Sequence, residues 1–359
     1  MNSSFFLVKW LFQAMDWVYR QMCSLFSTGG WVVVLTIFLF TLAIKLLTIF
    51  SDIKSRKSSI QMQAIQPELD RLKKKYGNDQ QKLVTEQRKL MKERGVSQLG
   101  GCLPMLIMMP LLFMFFAAFR AWSNQQALNL MLQINAGHGP ESFAASRFLW
   151  ITNIWRPDNL NPGGTLMTGQ EFWSTFAVSN NIKDFIFFSK NEAELSQLLY
   201  NLHFFTKTIA EDGTVQYVLA SDGGAAFMEA YKSFVLPITS NTGLVGGVYE
   251  NMSNGFAILP ILAGATTFLS SWIMQRQQQK AMPKPASDDK NDPAAQSQSM
   301  NKMMMFLMPA MSIFFCYQYD STFAFYWIFS NVISLAITLI LNATVFKKMQ
   351  QATVEVIKK

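Results

Sequence analysis

Histidine and cysteine are almost missing from this chain, with two and three copies in 359 residues. His138 and His203 are too few to build a histidine-based metal or proton site. Cys23, Cys102 and Cys316 are far apart, form no Cys-x-x-Cys pair and lie in or beside apolar segments. A disulfide framework or a clustered thiolate site is therefore not expected. Charge is also sparse, 15 % of residues against roughly 25 % in a typical soluble domain. A cleavable leader is not expected either. In MNSSFFLVKWLFQAMDWVYRQM, Lys9, Asp16 and Arg20 interrupt the apolar residues and no small-x-small site follows. Phe6, Trp10, Met15, Trp17 and Val18 suit an amphipathic helix in a membrane interface, within an extracytoplasmic N-terminal segment 1–30. A short span is the other reading of that stretch.

What is abundant is apolar: 31 Phe and 22 Met. Mean hydropathy is only +0.16, so membrane spans are expected together with a large polar part. Five segments are long enough, or nearly so, for a helical span of about 17–25 residues. They are 31–50, 103–122, 255–274, the shorter 303–317, and 323–346. Between them, segment 51–102 carries twelve Lys/Arg against six Asp/Glu, and linker 275–302 carries five against three. The tail 347–359 carries four against one, whereas segment 123–254 reverses the balance, six against eleven. The positive-inside rule then places the N-terminus outside and the C-terminus in the cytoplasm. The net charge of +8 is thus a topology signal. Nucleic-acid binding would want basic residues interleaved with aromatics, and the basic segments have no such interleaving.

The expected fold class is an all-α polytopic membrane protein: a five-helix transmembrane bundle, a cytoplasmic helical hairpin and a large extracytoplasmic insert. The hairpin lies in 51–102. Ile65, Leu69, Leu72 and Tyr76 recur at helical spacing, as do Leu83, Gln87, Leu90 and Met91, with Gly77-Asn78-Asp79 as the turn. Its basic residues Arg71, Lys73, Lys74, Lys75, Arg88 and Lys89 are candidates for docking anionic lipid, a ribosome or an incoming chain; a solvated spacer is the alternative. The insert 123–254 reads as a small folded domain or an elaborated cap, with GTVQYVLASDGG as a strand-like piece. Glu192 and Glu194 read as solvated helix residues, and His203 as a residue that packs or caps locally. Segment 275–302 is expected to be a flexible linker.

One feature of the first span stands out. Lys45 shares a helical face with Thr41, Thr48 and Asp52, at spacings of 4, 3 and 4. It lies about 7 Å to the cytoplasmic side of the midpoint of 31–50 and about 8 Å short of its end. Snorkelling to the headgroups and lining a wetted groove both fit that depth, as does a buried ion pair. Other spans carry modestly polar faces: Gly264, Thr267 and Ser271 on the third, Ser312 and Cys316 on the fourth. On the fifth, Thr322, Tyr326, Ser330, Ser334, Thr338 and Asn342 recur every four residues, with Asn331 beside them. Two Met clusters, Met105, Met108 and Met109, and Met304, Met305 and Met308, begin at the same expected depth. Flexible thioethers suit a surface that accepts varied apolar partners; lipid-facing filler is the other account. No nucleophile, acid pair or metal cluster lies in the spans, so neither an enzyme nor a cofactor is expected.

Four stretches resemble the YidC/Oxa1/Alb3 family of membrane protein insertases in its bacterial form. They are the first span with its inner positive charge and the basic segment after it; VSQLGGCLPMLIMMPLLFMFF (96–116); FLWITNIWRPDN (148–159) with GFAILPILAGATTF (255–268); and MNKMMMFLMPAMSIFF (300–315) with FYWIFSNVISLAI (325–337). The resemblance implies a five-helix core in a bacterial plasma membrane. It implies insertion of nascent membrane proteins into the bilayer, alone or beside the Sec translocon, without nucleotide hydrolysis, and with the ribosome as a partner. It also implies a hydrophilic groove lined by Lys45, and the groove expected here comprises Lys45, Thr41, Thr48, Thr267, Ser271, Tyr326, Ser330 and Asn331. The sequence departs from the pattern in four ways. Lysine stands where arginine is usual, Met108 where glutamine is familiar, and QYDSTFAF (318–325) where a Pro-Gly turn is expected. Residues 160–254 split the third likeness. A small-solute transporter or channel is the alternative function; no internal repeat favours it.

Overall fold

The computed structural model describes residues 3–77, 79–95, 103–177, 191–239, 252–281 and 293–343. The described chain is mostly helical, and two compact units divide it. Among the described residues, three helical segments are long and apolar enough to cross a membrane: Gly30–Phe50, Ile258–Arg276 and Ser321–Leu341. Met303–Gln318 is a shorter apolar helix.

Unit 1 comprises Met1–Ile37, Phe115–Pro260 and Phe315–Phe325. Helix α1, Ser3–Leu25, buries Leu11, Phe12 and Met15 and exposes Phe6, Trp10 and Trp17. Helix α4, Leu103–Asn135, runs past the expected boundary at 122. Nothing between Trp122 and Gly137 breaks a helix, and the added turns carry Leu128, Met131 and Leu132 into the core of the insert. Around them gather short α6 (Gly169–Phe176), α7 (Glu192–Asn201) and α8 (Ala225–Thr239), with α5 (Gly139–Ala144) nearby. Phe172 lies at the centre, its ring 4.5 Å from Phe176, 5.3 Å from Phe227 and 5.8 Å from Phe204. The insert is not purely helical. β1 (Phe205–Ile209) and β2 (Val215–Leu219) pair antiparallel, Phe205 opposite Leu219, and β2 falls within the strand-like piece read from the sequence. Glu192 and Glu194 are solvent-exposed in the first turn of α7, as expected.

The ends of the insert are tied by two buried polar side chains. Asp158 accepts from the Trp150 indole (3.1 Å) and from the backbone N–H groups of Ala257 (3.0 Å) and Leu259 (2.7 Å). It thereby caps the start of α9 (Ile258–Ala281) from a distant segment, supplying partners that a helix N-terminus otherwise lacks. Asn254 accepts from Asn153 N–H at 2.8 Å and donates to the carbonyls of Asn153, Arg156 and Pro157. Gly255 is required by this approach: a Cβ there would fall 2.0 Å from the Asp158 carboxylate.

Unit 2 comprises Phe38–Met114, Ile261–Phe314 and Tyr326–Lys359. Helix α2, Gly30–Tyr76, continues well past the apolar stretch. Asp79 caps α3 (Gln80–Glu93) by accepting from Lys82 N–H at 3.0 Å. Leu90 and Met91 of α3 pack on Ile65 and Leu69 of α2, and Arg94 pairs with Glu68 at 2.7 Å. Asn78 of the expected turn lies outside the described residues. The expected linker 275–302 is helical at both ends, because α9 continues to Ala281 and α10 spans Pro293–Gln318. Gln- and Ala-rich sequence without glycine favours helix, and proline is well placed in a first turn. α11 follows at Ser321–Leu341, so Tyr319 and Asp320 alone form the connection from α10. The tail 347–359 lies outside the described residues.

Candidate functional site

In unit 2, α2 presents two contrasting faces. Thr41 is fully buried and Lys45 is half-buried one turn on, with the Thr48 hydroxyl donating to the Lys45 carbonyl at 3.3 Å. Leu47 and Phe50 are 80 % and 84 % exposed. At about 100° per residue, those two stand on the opposite side of the helix from Thr41, whereas Lys45 stands beside it. Lys45 therefore departs from the inward side of α2, not from its exposed apolar stripe.

The third and fifth apolar segments are joined by a buried polar network centred on Thr267. Its hydroxyl donates to the Ala263 carbonyl at 2.7 Å. Its oxygen accepts from Trp327 Nε1 (3.0 Å) and Asn331 Nδ2 (2.9 Å), and Ser312 Oγ lies 3.0 Å away. Thr267 thus has its hydrogen and lone pairs used within the protein, which makes it a fastener of α9 to α10 and α11. The close approach of α9 and α10 depends on Gly264, where a Cβ would sit 2.5 Å from Ile313 Cγ1. Of the residues expected to share a groove, Thr267 and Asn331 meet directly. Tyr326 is buried, while Ser271 and Ser330 are half-buried on the same helices. Sequence reasoning noticed Ser312 without assigning it, and it missed Trp327. The only signal for Trp327 was its place four residues before Asn331.

On α10 the exposed apolar face carries Met303, Phe306, Leu307, Met311 and Phe314. Met304, Met305 and Met308, the expected substrate surface, are half-buried. The side chains of Met105, Met108 and Met109 lie outside the described residues. In the basic segment, Arg71, Lys74, Lys75, Arg88 and Lys89 are exposed, and the side chain of Lys73 lies outside the described residues.

Unit 1 holds a charged cluster that the sequence did not foretell. Arg156 is forked onto Glu171 at 2.7 and 2.8 Å and also donates to the Gly164 carbonyl. Burial works against the guanidinium charge, but the Glu171 carboxylate outweighs it and the Arg156 pKa is raised. Asp320, at the head of α11, has its pKa raised to about 6 by burial, partly opposed by Arg156 and Arg120. A carboxyl whose folded pKa exceeds its unfolded value stabilises the fold when protonated. That contribution is complete below the unfolded value and is lost as pH rises through about 6. Asp320→Asn should therefore raise the melting temperature at pH 7.5 and flatten its decline between about pH 4 and 6, read by nano-scale fluorimetry in detergent. An unchanged pH profile would refute the assignment.

Two comparisons bear on this geometry. A family sequence model described as "60Kd inner membrane protein" matches residues 25–349. Among curated proteins, the chain is 35 % identical to a "Membrane protein insertase YidC" of Clostridium perfringens over 152 residues, 42 % of this chain and 56 % of that protein. It is 27 % identical over 311 residues to one of Chlorobaculum tepidum, 87 % of this chain and 33 % of that one. A Fusobacterium nucleatum protein of the same description is 39 % identical over 87 residues, 24 % of this chain and 42 % of that one. The chain spans about half of the Clostridium relative's length and a third of the Chlorobaculum one's.

Proposed function

The chain belongs to the 60Kd inner membrane protein (YidC/Oxa1) family, and we propose that it moves hydrophobic segments of nascent membrane proteins from the cytoplasm into the bilayer. The observation that carries this is the placement of Lys45 beside buried Thr41, on the side of α2 opposite Leu47 and Phe50. A lysine at that depth is costly against lipid, and facing inward it can be kept hydrated within a polar groove.

The proposed architecture is a five-helix transmembrane core with its N-terminus outside and its C-terminus in the cytoplasm. α1 lies in the outer interface through Phe6, Trp10 and Trp17. The packed pair of α3 and the distal part of α2 stands in the cytoplasm. Its exposed Arg71, Lys74, Lys75, Arg88 and Lys89, with Lys73, receive the nascent chain or the ribosome that carries it. The polar leading segment of the substrate enters beside Lys45, Thr41 and Thr48, with Ser271, Tyr326, Ser330 and Asn331 as further lining and Thr267 holding the wall. The groove lowers the desolvation cost of that segment. The hydrophobic segment then passes along the methionine-rich surface, Met303 to Phe314 together with the cluster at Met105, Met108 and Met109, into lipid. Burial of its apolar area drives the step. No nucleotide, metal or cofactor enters this scheme, which runs alone or beside the Sec translocon.

Purified protein in liposomes should insert a small phage-coat-like single-span substrate, scored by protease protection, well above protein-free liposomes. Deleting 60–92 should lower that yield severalfold for ribosome-bound substrate. Equal insertion with and without the protein would refute the function; equal insertion after the deletion would refute the docking role.

A further inference from the structure

The stretch RFLWITNIWRPDN (147–159) meets the first turns of α2, α9 and α11, which carry the membrane-length apolar segments of the described residues. Gly30, which opens α2, leaves no room for a side chain against the Arg147 carbonyl and Phe148. Asp158 accepts from Ala257 and Leu259 at the start of α9. At the head of α11, Ser321 donates its N–H (3.0 Å) and its hydroxyl (2.7 Å) to the Arg156 carbonyl. Phe325 meets Phe148 edge to face at 5.4 Å. The three helices therefore begin at one membrane surface, and this stretch lies there beside them.

The stretch opens on a two-residue turn. Phe148 and Ile151 exchange backbone hydrogen bonds at 3.0 and 2.9 Å, which puts Leu149 and Trp150 at the tip. Leu149 has φ +51°, in the left-handed region that glycine and asparagine hold more easily. It is 69 % exposed, so little packing within the chain holds it there. A strained backbone under an exposed leucine points to a role for the side chain outside the protein. Two more exposed apolar residues flank the same knot. Phe256, 57 % exposed, comes two residues before Ile258, and Leu160, 58 % exposed, two residues after Asp158. Trp31, also exposed, is the second residue of α2. Between Glu141 and Glu171 the only acidic residue is Asp158, which is buried. Exposed aromatic and aliphatic residues at span ends, with acid kept away, suit the boundary between headgroups and acyl chains.

We propose that the Leu149 turn, Leu160 and Phe256 form a lipid anchor, seated in the headgroup–acyl boundary of the leaflet at which α2, α9 and α11 begin. The occupant is lipid because the patch continues from the spans themselves: Phe256 and Trp31 lie within two residues of the first residues of Ile258–Arg276 and Gly30–Phe50. The anchor fixes the depth of the stretch to which all three helix starts are tied. It requires that these helices cross a bilayer and does not depend on the insertase reading.

The test uses the full chain in liposomes of phosphatidylethanolamine and phosphatidylglycerol. With Cys23→Ser, Cys102→Ser and Cys316→Ala in place, Leu149→Cys is labelled with a solvent-sensitive NBD group. Its fluorescence should be quenched by lipids carrying a nitroxide high on the acyl chain and should resist aqueous iodide. Ile209→Cys in the same background is the control. Ile209 is 78 % exposed at the end of β1, beside the acidic turn Glu211-Asp212, and should show the reverse. Leu149→Gly removes the anchor and the strain together. It should leave the melting temperature in detergent level or raised, whereas truncating a residue that merely packs would lower it. With NBD at Phe256→Cys, the same Leu149→Gly change should raise iodide quenching about twofold or more as apolar contact with lipid is lost. Iodide quenching at position 149 equal to that at 209 would overturn the proposal. So would protection that disappears as the protein is diluted in lipid, the mark of a second copy covering the turn, or a Leu149→Gly chain that melts several degrees lower.

Discussion

Lys45→Ala should lower insertion of a single-spanning substrate with an acidic leading segment by about tenfold or more. At an effective dielectric of about 20, a unit charge about 10 Å away is worth ~1.7 kcal/mol, and 1.4 kcal/mol is about tenfold. Lys45→Met keeps most of the stem and removes the charge, so it should fall as far as the alanine variant. Lys45→Arg should retain activity, since long-range attraction survives the exchange; arginine's planar fork can even add bidentate pairing with a carboxylate. A substrate with a neutral leading segment should be nearly indifferent to all three. The measurement is protease protection in proteoliposomes with the two substrates side by side. Full activity of Lys45→Ala on the acidic substrate would sink the groove-charge mechanism and restore snorkelling as the reason for the lysine.

Asp158→Ala should destabilise unit 1 by several kcal/mol, since each buried donor left unsatisfied costs about 1–3 kcal/mol. Asp158 is fully buried and serves three donors. Truncation leaves the Trp150 indole and the N–H groups of Ala257 and Leu259 with nothing in its place. Asp158→Asn keeps one acceptor oxygen and should cost less. Thermal unfolding in nanodiscs, followed by tryptophan fluorescence, should show a drop of several degrees for alanine and a smaller one for asparagine. Equal melting temperatures for Asp158→Ala and the parent chain would mean that the cap contributes nothing.

The two residues behind these predictions were unequally legible. Lys45 was conspicuous because a charge in an apolar run of twenty residues violates the local pattern, and its relation to Thr41 follows from helical periodicity alone. The start of α3 was legible for a similar reason: its signal is local, and Asp79 caps it. Asp158 offered no such signal. In WRPDN it reads as an ordinary turn residue, and its partners Ala257 and Leu259 lie about a hundred positions away. The Thr267 network was half legible. The stripe of hydroxyls showed which face of each helix was polar, but a threonine in an apolar helix can spend its hydrogen on its own turn, as Thr267 does on Ala263. That Trp327 and Asn331 also converge on its oxygen depends on how three helices pack. The Met cluster shows the same limit: composition located the segment, whereas helix rotation decided that Met303 faces out more than Met304, Met305 and Met308.

The knot of Asp158, Asn254 and Gly255 has a consequence for how this chain can change. It holds both ends of residues 160–253 in one place, so that interval is a closed loop fastened at its neck. The entropy of closing such a loop grows only logarithmically, about 0.6 kcal/mol for each doubling of its length. Length in this interval is therefore nearly neutral, provided the neck and the interval's own core stay intact. The two flanking stretches that resemble the family are the two halves of the neck, while Phe172, Phe204 and Phe227 form a core that the enclosed part shares with Leu128, Met131 and Leu132 of α4. The neck thus tolerates changes of length in the interval, whereas exchange of the whole interval would strip the partners from Leu128, Met131 and Leu132 of α4.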